Sequence, residues 1–223
     1  MTLPCWRTCI VSDAELRTSP IAEHLMSMPV LHQERWTIED VERLMEERDG
    51  YAPRYELVDG ELLVTPAPST RHQVIVGELY VLVREYVKRH RLGRAVFSPG
   101  TVTLTPQTRF EPDLYVIPLV DGRMPHWKDP VTQLLLAAEV LSPSSARHDR
   151  ITKRRFFQRH GVPEYWVVDG EAEAFEVWNP GDERAALIDD RLMWQPHEGV
   201  PAFELDVKRF FADLVDGSVE GSA

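Results

Sequence analysis

The stretch from Leu134 to Phe157, "LLLAAEVLSPSSARHDRITKRRFF", decides the fold. Its first eight residues have the near-continuous apolar character of a strand buried on both faces, interrupted by one carboxylate, Glu139. An unpaired buried charge is costly even after the protein relaxes around it. Glu139 therefore needs a partner such as a metal ion or a lysine, or else the strand is less buried than its composition suggests. Ser142-Pro143-Ser144 breaks the strand by turn chemistry. A helix follows from about Ser145 to His160, closed by Gly161 with Pro163 beyond. "EYWVVD" (Glu164–Asp169) then reads as another strand, with Tyr165 and Trp166 expected in the core rather than stacked on bases.

Working outward, "WTIEDVERLMEER" carries a helix start. Thr37 caps it, Glu39 and Asp40 occupy the first turn, and Val41, Leu44 and Met45 share a face. "RYELVDGELLV" reads as a hairpin around Asp59-Gly60, with Tyr55, Leu57, Leu62 and Val64 alternating. A long helix is expected from Ser69 to about Leu92, with an apolar stripe of Ile75, Leu79, Leu82, Val83, Tyr86 and Val87. "RAVFS" and "TVTLT" read as strands joined by Pro99-Gly100, and "DLYVIP" as a third, led by Asp113. Further on, "AFEVWN" and "ALIDDRLMW" read as strands and "VKRFFADLV" as a terminal helix. This alternation implies an α/β sheet with helices on its faces. Residues 1–34 show no sustained period and read as a poorly ordered extension, or as sequence upstream of a true start near Met26. Residues 35–215 read as one domain, and 216–223 as a frayed tail.

The chain has 223 residues and a net charge of -11. No apolar run approaches the ~20 residues of a membrane span, and no apolar leader is apparent at the N-terminus. The two cysteines, Cys5 and Cys9, lie within the first ten residues. That excludes a disulfide framework, fits a reducing cytoplasm, and leaves a zinc site without its second ligand pair. The acidic balance argues against non-specific coating of nucleic acid, but it hides two basic clusters. Arg84–Arg94 carries a local charge of +4 and Arg147–His160 one of +5, which leaves the remainder at -20. Such polarity guides a phosphate backbone to one face. Lys88, Arg89, Arg147, Arg150 and Arg154 are the candidate contacts, although solvated helix faces produce the same pattern.

Asp113 opens one strand, Glu139 sits in the next confident one, and Lys153 lies on the helix that follows. Two carboxylates on neighbouring strands can hold one hard divalent ion, Mg²⁺ or Mn²⁺. A nearby lysine can stabilise negative charge on a phosphate. That is the minimal equipment for metal-assisted phosphodiester hydrolysis, and the metal would partner Glu139.

Pro112-Asp113, Glu139 and a following lysine, in this element order, resemble the PD-(D/E)XK nuclease superfamily. "YELVDGELL", "PAPSTRHQ", "FEPDLYV", "EVLSPSS", "DRITKRRFF" and "GVPEYWVVD" are similar, in order, to the Uma2 family of restriction-endonuclease-like proteins, over about Trp36 to Phe211. The resemblance implies a restriction-endonuclease-like fold, with a mixed central β-sheet flanked by helices. It also implies a Mg²⁺-dependent DNA-cleaving activity. On that basis Asp113 and Glu139 are metal ligands and Lys153 is the catalytic lysine. The superfamily pattern places a lysine two residues after the glutamate, where this chain has Leu141. The resemblance thus puts the lysine on the next helix, with Arg150 and Arg154 as alternatives. Glu56 and His72 match the family's "YE" and "RH" motifs, as an extra carboxylate and as a phosphate contact or acid–base group. Glu78 competes with Glu56, and Asp149 suits the helix dipole. A homodimer would suit cleavage of both strands of a two-fold symmetric duplex. Two other readings stand beside the nuclease: a nucleic-acid-binding module without turnover, and a metal-free carboxylate hydrolase of the glycosidase type, against which the basic enrichment speaks.

Overall fold

A computed structural model describes residues 35–216 except 51 and 127. The N-terminal extension with Cys5, Cys9 and Met26, and the tail beyond Asp216, lie outside the described residues. Helix α1 (Ile38–Glu47) starts on a capping box. The Thr37 hydroxyl accepts from the Asp40 amide, and the Asp40 carboxylate accepts from the Thr37 amide, which satisfies two otherwise orphan donors. Strands β1 (Arg54–Val58) and β2 (Glu61–Thr65) form the expected hairpin. Asp59 and Gly60 both take positive φ, 50° and 86°, as a two-residue turn matched to strand twist requires. The buried side chains of β2 are Leu63 and Thr65, while Val64 faces solvent. The inward set of β2 is thus shifted by one residue from the expected Leu62 and Val64.

Helix α2 (Thr70–Arg89) is capped by Ser69, whose hydroxyl accepts from the His72 amide. Its buried face is His72, Ile75, Val76, Leu79, Val83, Tyr86 and Val87. Leu82, expected in that stripe, is 39% exposed and Val76 takes the inner position. The central sheet contains β3 (Gly93–Phe97), β4 (Leu114–Pro118), β5 (Leu136–Val140), β6 (Tyr165–Asp169), β7 (Ala174–Trp178) and β8 (Ala186–Ile188), in that spatial order. Only β5 and β6 pair in parallel; the other pairs are antiparallel. "TVTLT" does not add a strand. It makes one bridge, Val102 to Phe110, because β3 pairs directly with β4 and leaves that segment outside the sheet.

The β5–β6 crossover is a helix in two registers: a π-helical segment, His148–Lys153, runs into α3 (Arg154–Arg159). "ALIDDRLMW" divides into β8 and β9 (Arg191–Trp194), and β9 pairs with β10 (Phe203–Asp206) in a small separate sheet that leads into α4 (Val207–Asp216). Alternate strand residues feed two cores. Leu114, Val116, Leu136, Ala138, Val140, Trp166 and Val168 pack with α2, β9, β10 and α4. Tyr115, Ala137, Tyr165 and Val167 pack with Phe156 and Phe157 of α3 and with Val58 and Leu63 of the hairpin. All five residues of β5 are buried, as expected for the strand between the two layers. The result is a mixed α/β fold with a six-stranded central sheet flanked by helices.

Candidate active site

Glu139 points to the same side of β5 as Ala137, toward the crossover helix. Leu114 pairs with Ala138, so one further step of the antiparallel register sets Asp113 across from Glu139. The partner of Glu139 is Lys153, whose Nζ lies 2.8 Å from Oε1. The same ammonium is 2.9 Å from Glu56 Oε2 and 3.4 Å from Asp149 Oδ1. Lys153 and Glu139 are each 1% exposed, and Glu56 is wholly buried. The helix supplies Asp149 and Lys153 from one inward face, four residues apart, and its wider register is a form that recurs at functional sites. The Tyr165 hydroxyl donates to the Asp149 carbonyl at 3.1 Å and anchors that turn on β6.

Asp113 is held separately. His72 Nε2 is 3.0 Å from Oδ2, the Val140 amide donates to Oδ2 at 2.9 Å, and Arg54 Nη1 donates to Oδ1 at 3.2 Å. The far carboxylate oxygen of Glu56 accepts from the Glu111 amide at 2.8 Å. Glu56 thereby ties the hairpin to the segment just before β4.

Four buried carboxylates thus face one ammonium, one guanidinium and one imidazole. Burial raises Glu139; Lys153 opposes the rise, Asp113, Asp149 and Glu56 add to it, and the outcome is well above the ordinary glutamate value. Asp149 is raised by the same kinds of force, burial first. Burial pulls Lys153 down, but Glu139, Glu56 and Asp149 outweigh it and keep the ammonium charged. Burial would also raise Asp113, yet the His72 hydrogen bond and the charges of His72, Arg54 and Lys153 hold it well below the usual range. Crowding and burial thus make ionisation of Glu139 and Asp149 costly, and the Lys153 ammonium offsets part of that cost.

A groove of about 690 Å³ opens above Asp113, lined among others by Arg54, His72, Val140, Ser145 and Arg150. One wall is the loop Ser142–Ser145, knit by the 2.9 Å contact between the Ser142 and Ser145 hydroxyls. Arg71 bridges the start of α2 to the β6–β7 turn through Glu171 and the Gly170 carbonyl. Glu139, Lys153 and Glu56 lie beneath the lining rather than in it.

The sequence matches the model of a family described as "Putative restriction endonuclease", Uma2, over residues 38–208. The chain belongs to the Uma2 family. It is also similar to a crystal structure from Anabaena variabilis, described as "a putative nuclease belonging to DUF820". The TM-score is 0.61 at 20% identity, covering 78% of this chain and 98% of that one, a likeness of fold. No curated protein matches. The Uma2 motifs thus lie on one mixed α/β fold, and the resemblance read from them holds for family and fold alike.

Of the candidate residues of this Uma2 chain, Glu56, His72, Asp113, Glu139 and Lys153 come together within one buried cluster. Glu78 is exposed on α2, away from it. Arg150 lies at the groove but is paired with Glu176 at 2.6 Å and Asp169 at 2.9 Å. Arg154 stacks over Trp178 and bonds Gln158. Arg147 is exposed beside the groove-lining Ala146. Lys88 and Arg89 are exposed at the other end of α2, about 24 Å along the helix from His72 at 1.5 Å per residue. Sequence reasoning missed Arg54 altogether and gave Asp149 only a helix-dipole role. The signal for Arg54 was its position two residues before Glu56, on the same side of one strand.

Among the described residues no three His, Cys, Asp or Glu side chains are spaced to hold a metal ion together. The donor chemistry nevertheless fits a hard divalent cation. The carboxylates are oxygen donors, and Glu56 Oε2 and Asp149 Oδ1 are buried without a hydrogen-bond partner despite the nearby ammonium. Mg²⁺ commonly takes only one or two carboxylates and keeps waters for its other positions. Asp113 and Glu139, the pair expected from the sequence, would supply two such oxygen donors.

Proposed function

We propose that this chain is a divalent-metal-dependent nuclease that hydrolyses a phosphodiester bond of DNA. The observation that carries the reading is the pair Asp113 and Glu139, opposed across β4 and β5 in a carboxylate-rich cluster at the base of a groove edged by arginines. Both would hold Mg²⁺ or Mn²⁺. That ion, when bound, supplies Lewis acidity and a nucleophilic water at neutral pH.

The residues of the chain do the remaining work. Lys153 holds Glu56, Glu139 and Asp149 together around one ammonium. His72 and the Val140 amide fix the Asp113 carboxylate by two bonds to one oxygen, which leaves its orientation defined. Glu56 is the extra carboxylate, next to Glu139 through their shared ammonium. Arg147 and the groove arginines attract the backbone, and the exposed Lys88 and Arg89 extend the basic surface along α2. A duplex lying along that helix spans the ~24 Å between them in about seven base pairs at 3.4 Å each. A two-fold dimer would bring a second such site to the opposite strand.

Supercoiled plasmid with Mg²⁺ or Mn²⁺ tests the reading, comparing wild type with Glu139→Gln. Nicking or cutting by wild type alone, abolished by EDTA, supports it; equal cutting by both sinks the site assignment. A second reading, binding without turnover, is favoured by one observation: both Asp113 oxygens are already engaged, by Arg54 and by His72 with Val140. Duplex binding with no cleavage in either ion would select it.

A further inference from the structure

Lys153 is poorly placed to meet a substrate phosphate. It is 1% exposed, it does not line the groove, and it is hydrogen-bonded to Glu139 and ion-paired with Glu56 and Asp149 besides. Arg71 and Arg150 do line the groove, but each is paired at the rim, with Glu171 and with Asp169 and Glu176. Arg54 is paired too, but inward with the buried cluster, with Asp113 at 3.2 Å and Glu56 at 4.0 Å. Its Nη1 bonds Asp113 Oδ1, the Glu111 carbonyl and the Ser98 hydroxyl, at 3.2, 3.1 and 3.3 Å. Its Nε reaches Thr65 at 3.4 Å. The side chain keeps 22% exposure and forms part of the groove lining. Its hydrogen bonds to the described residues use Nη1 and Nε, so Nη2 is the donor left over. A guanidinium offers five donors in a planar fork, and one edge can grip a carboxylate while another takes a phosphate oxygen. Next to it, His72 Nδ1 is buried without a hydrogen-bond partner, although the Gln73 side chain is close.

We infer that Arg54, and not Lys153, is the cationic residue that contacts the substrate phosphate. The inference rests on the nuclease reading above. Arg54 spans from Asp113 to the groove, so a phosphate oxygen bound on its outer edge is drawn up against the carboxylate that fixes the reacting centre. Lys153 is in this view a positioning residue for the carboxylates. The arrangement also accounts for Leu141 in place of the superfamily's lysine: the cation comes from the hairpin, and not from β5 or from the crossover helix.

The test compares wild type, Arg54→Gln and Arg54→Lys, after equal thermal melting shows that the variants fold. A fluorescent 20-base-pair duplex is titrated in EDTA at three salt concentrations, and plasmid cleavage is followed in Mg²⁺. Arg54→Gln is expected to weaken binding about tenfold and to flatten the salt dependence by about one counterion. Arg54→Lys keeps the salt dependence but loses at least about tenfold in cleavage, because the fork is gone. Binding by Arg54→Gln within twofold of wild type, with the same salt slope, overturns the inference. A phosphate titration covers wild type that binds no nucleic acid, and variants that do not fold. The ¹⁵N–¹H resonance of the Arg54 side chain is followed with inorganic phosphate against chloride at equal ionic strength. A phosphate-specific shift supports Arg54 as an anion contact, and where wild type binds no nucleic acid it does so while the nuclease reading falls. No shift overturns the Arg54 inference itself.

Discussion

Lys153 Nζ and Glu139 Oε1 lie 2.8 Å apart, and each residue is 1% exposed. The buried carboxylate that looked out of place in an apolar strand is thus half of an ion pair across the β5–helix connection. Breaking a buried pair by removing one partner is costly, because it leaves the other charge uncompensated.

Lys153→Met should therefore destabilise the fold by about 3–5 kcal/mol. Urea denaturation of wild type and variant measures it. Adding Glu139→Gln to Lys153→Met should recover part of the loss, since it removes one of the stranded charges. A loss below about 1 kcal/mol would show that the ammonium is not holding the cluster together.

Metal binding should be visible apart from catalysis. Isothermal titration with Mn²⁺ should give binding to wild type that weakens at least about tenfold in Asp113→Asn and in Glu139→Gln. The exposed Glu78→Gln should bind as wild type does. Unchanged binding in both carboxylate variants would remove them as ligands.

Stability should fall as pH rises from about 4.5 to 7, in part through Glu164. This residue sits just before β6, and Trp166 Nε1 donates to it at 2.5 Å. Burial lifts its carboxyl from 4.5 to about 7, against the pull of that hydrogen bond. A raised carboxyl is neutral in the fold where it would be charged in the unfolded chain. Its favourable contribution is complete below 4.5 and lost as pH climbs through the folded value. Glu164→Gln should flatten the melting-temperature profile across that window, by about 1–3 kcal/mol in stability. Parallel profiles for the two proteins would refute the assignment.

Gly93 opens β3 with φ 155°, and a Cβ there would lie 1.9 Å from the Ile117 carbonyl oxygen. Backbone cannot yield as a flexible side chain does. Gly93→Ala should cost about 3 kcal/mol or more, by shifting β3 off β4. Chemical denaturation reads this directly, whereas Gly77→Ala, with open space around it, should be neutral or stabilising because helix α2 gains propensity there.

The sequence by itself determined the local grammar: where α1 starts on Thr37, where the hairpin turns at Asp59-Gly60, and that β5 is buried and followed by a helix. These are encoded in caps, turn residues and period, which act over a few neighbours. It also singled out Asp113, Glu139 and Lys153, because a carboxylate in an apolar strand and a resemblance carried by ordered motifs are both visible along the chain. The faces were less legible. Leu82 and Val64 turned outward and Val76 and Leu63 inward, since a half-apolar segment is consistent with more than one register until its neighbours are known. The tertiary structure alone decided the partnerships. It set Lys153 among Glu56, Glu139 and Asp149, brought Arg54 and His72 onto Asp113, and separated Lys88 and Arg89 from the site by the length of a helix. Each of these depends on which elements pack together, and the desolvation that shapes the charges arises only when they do.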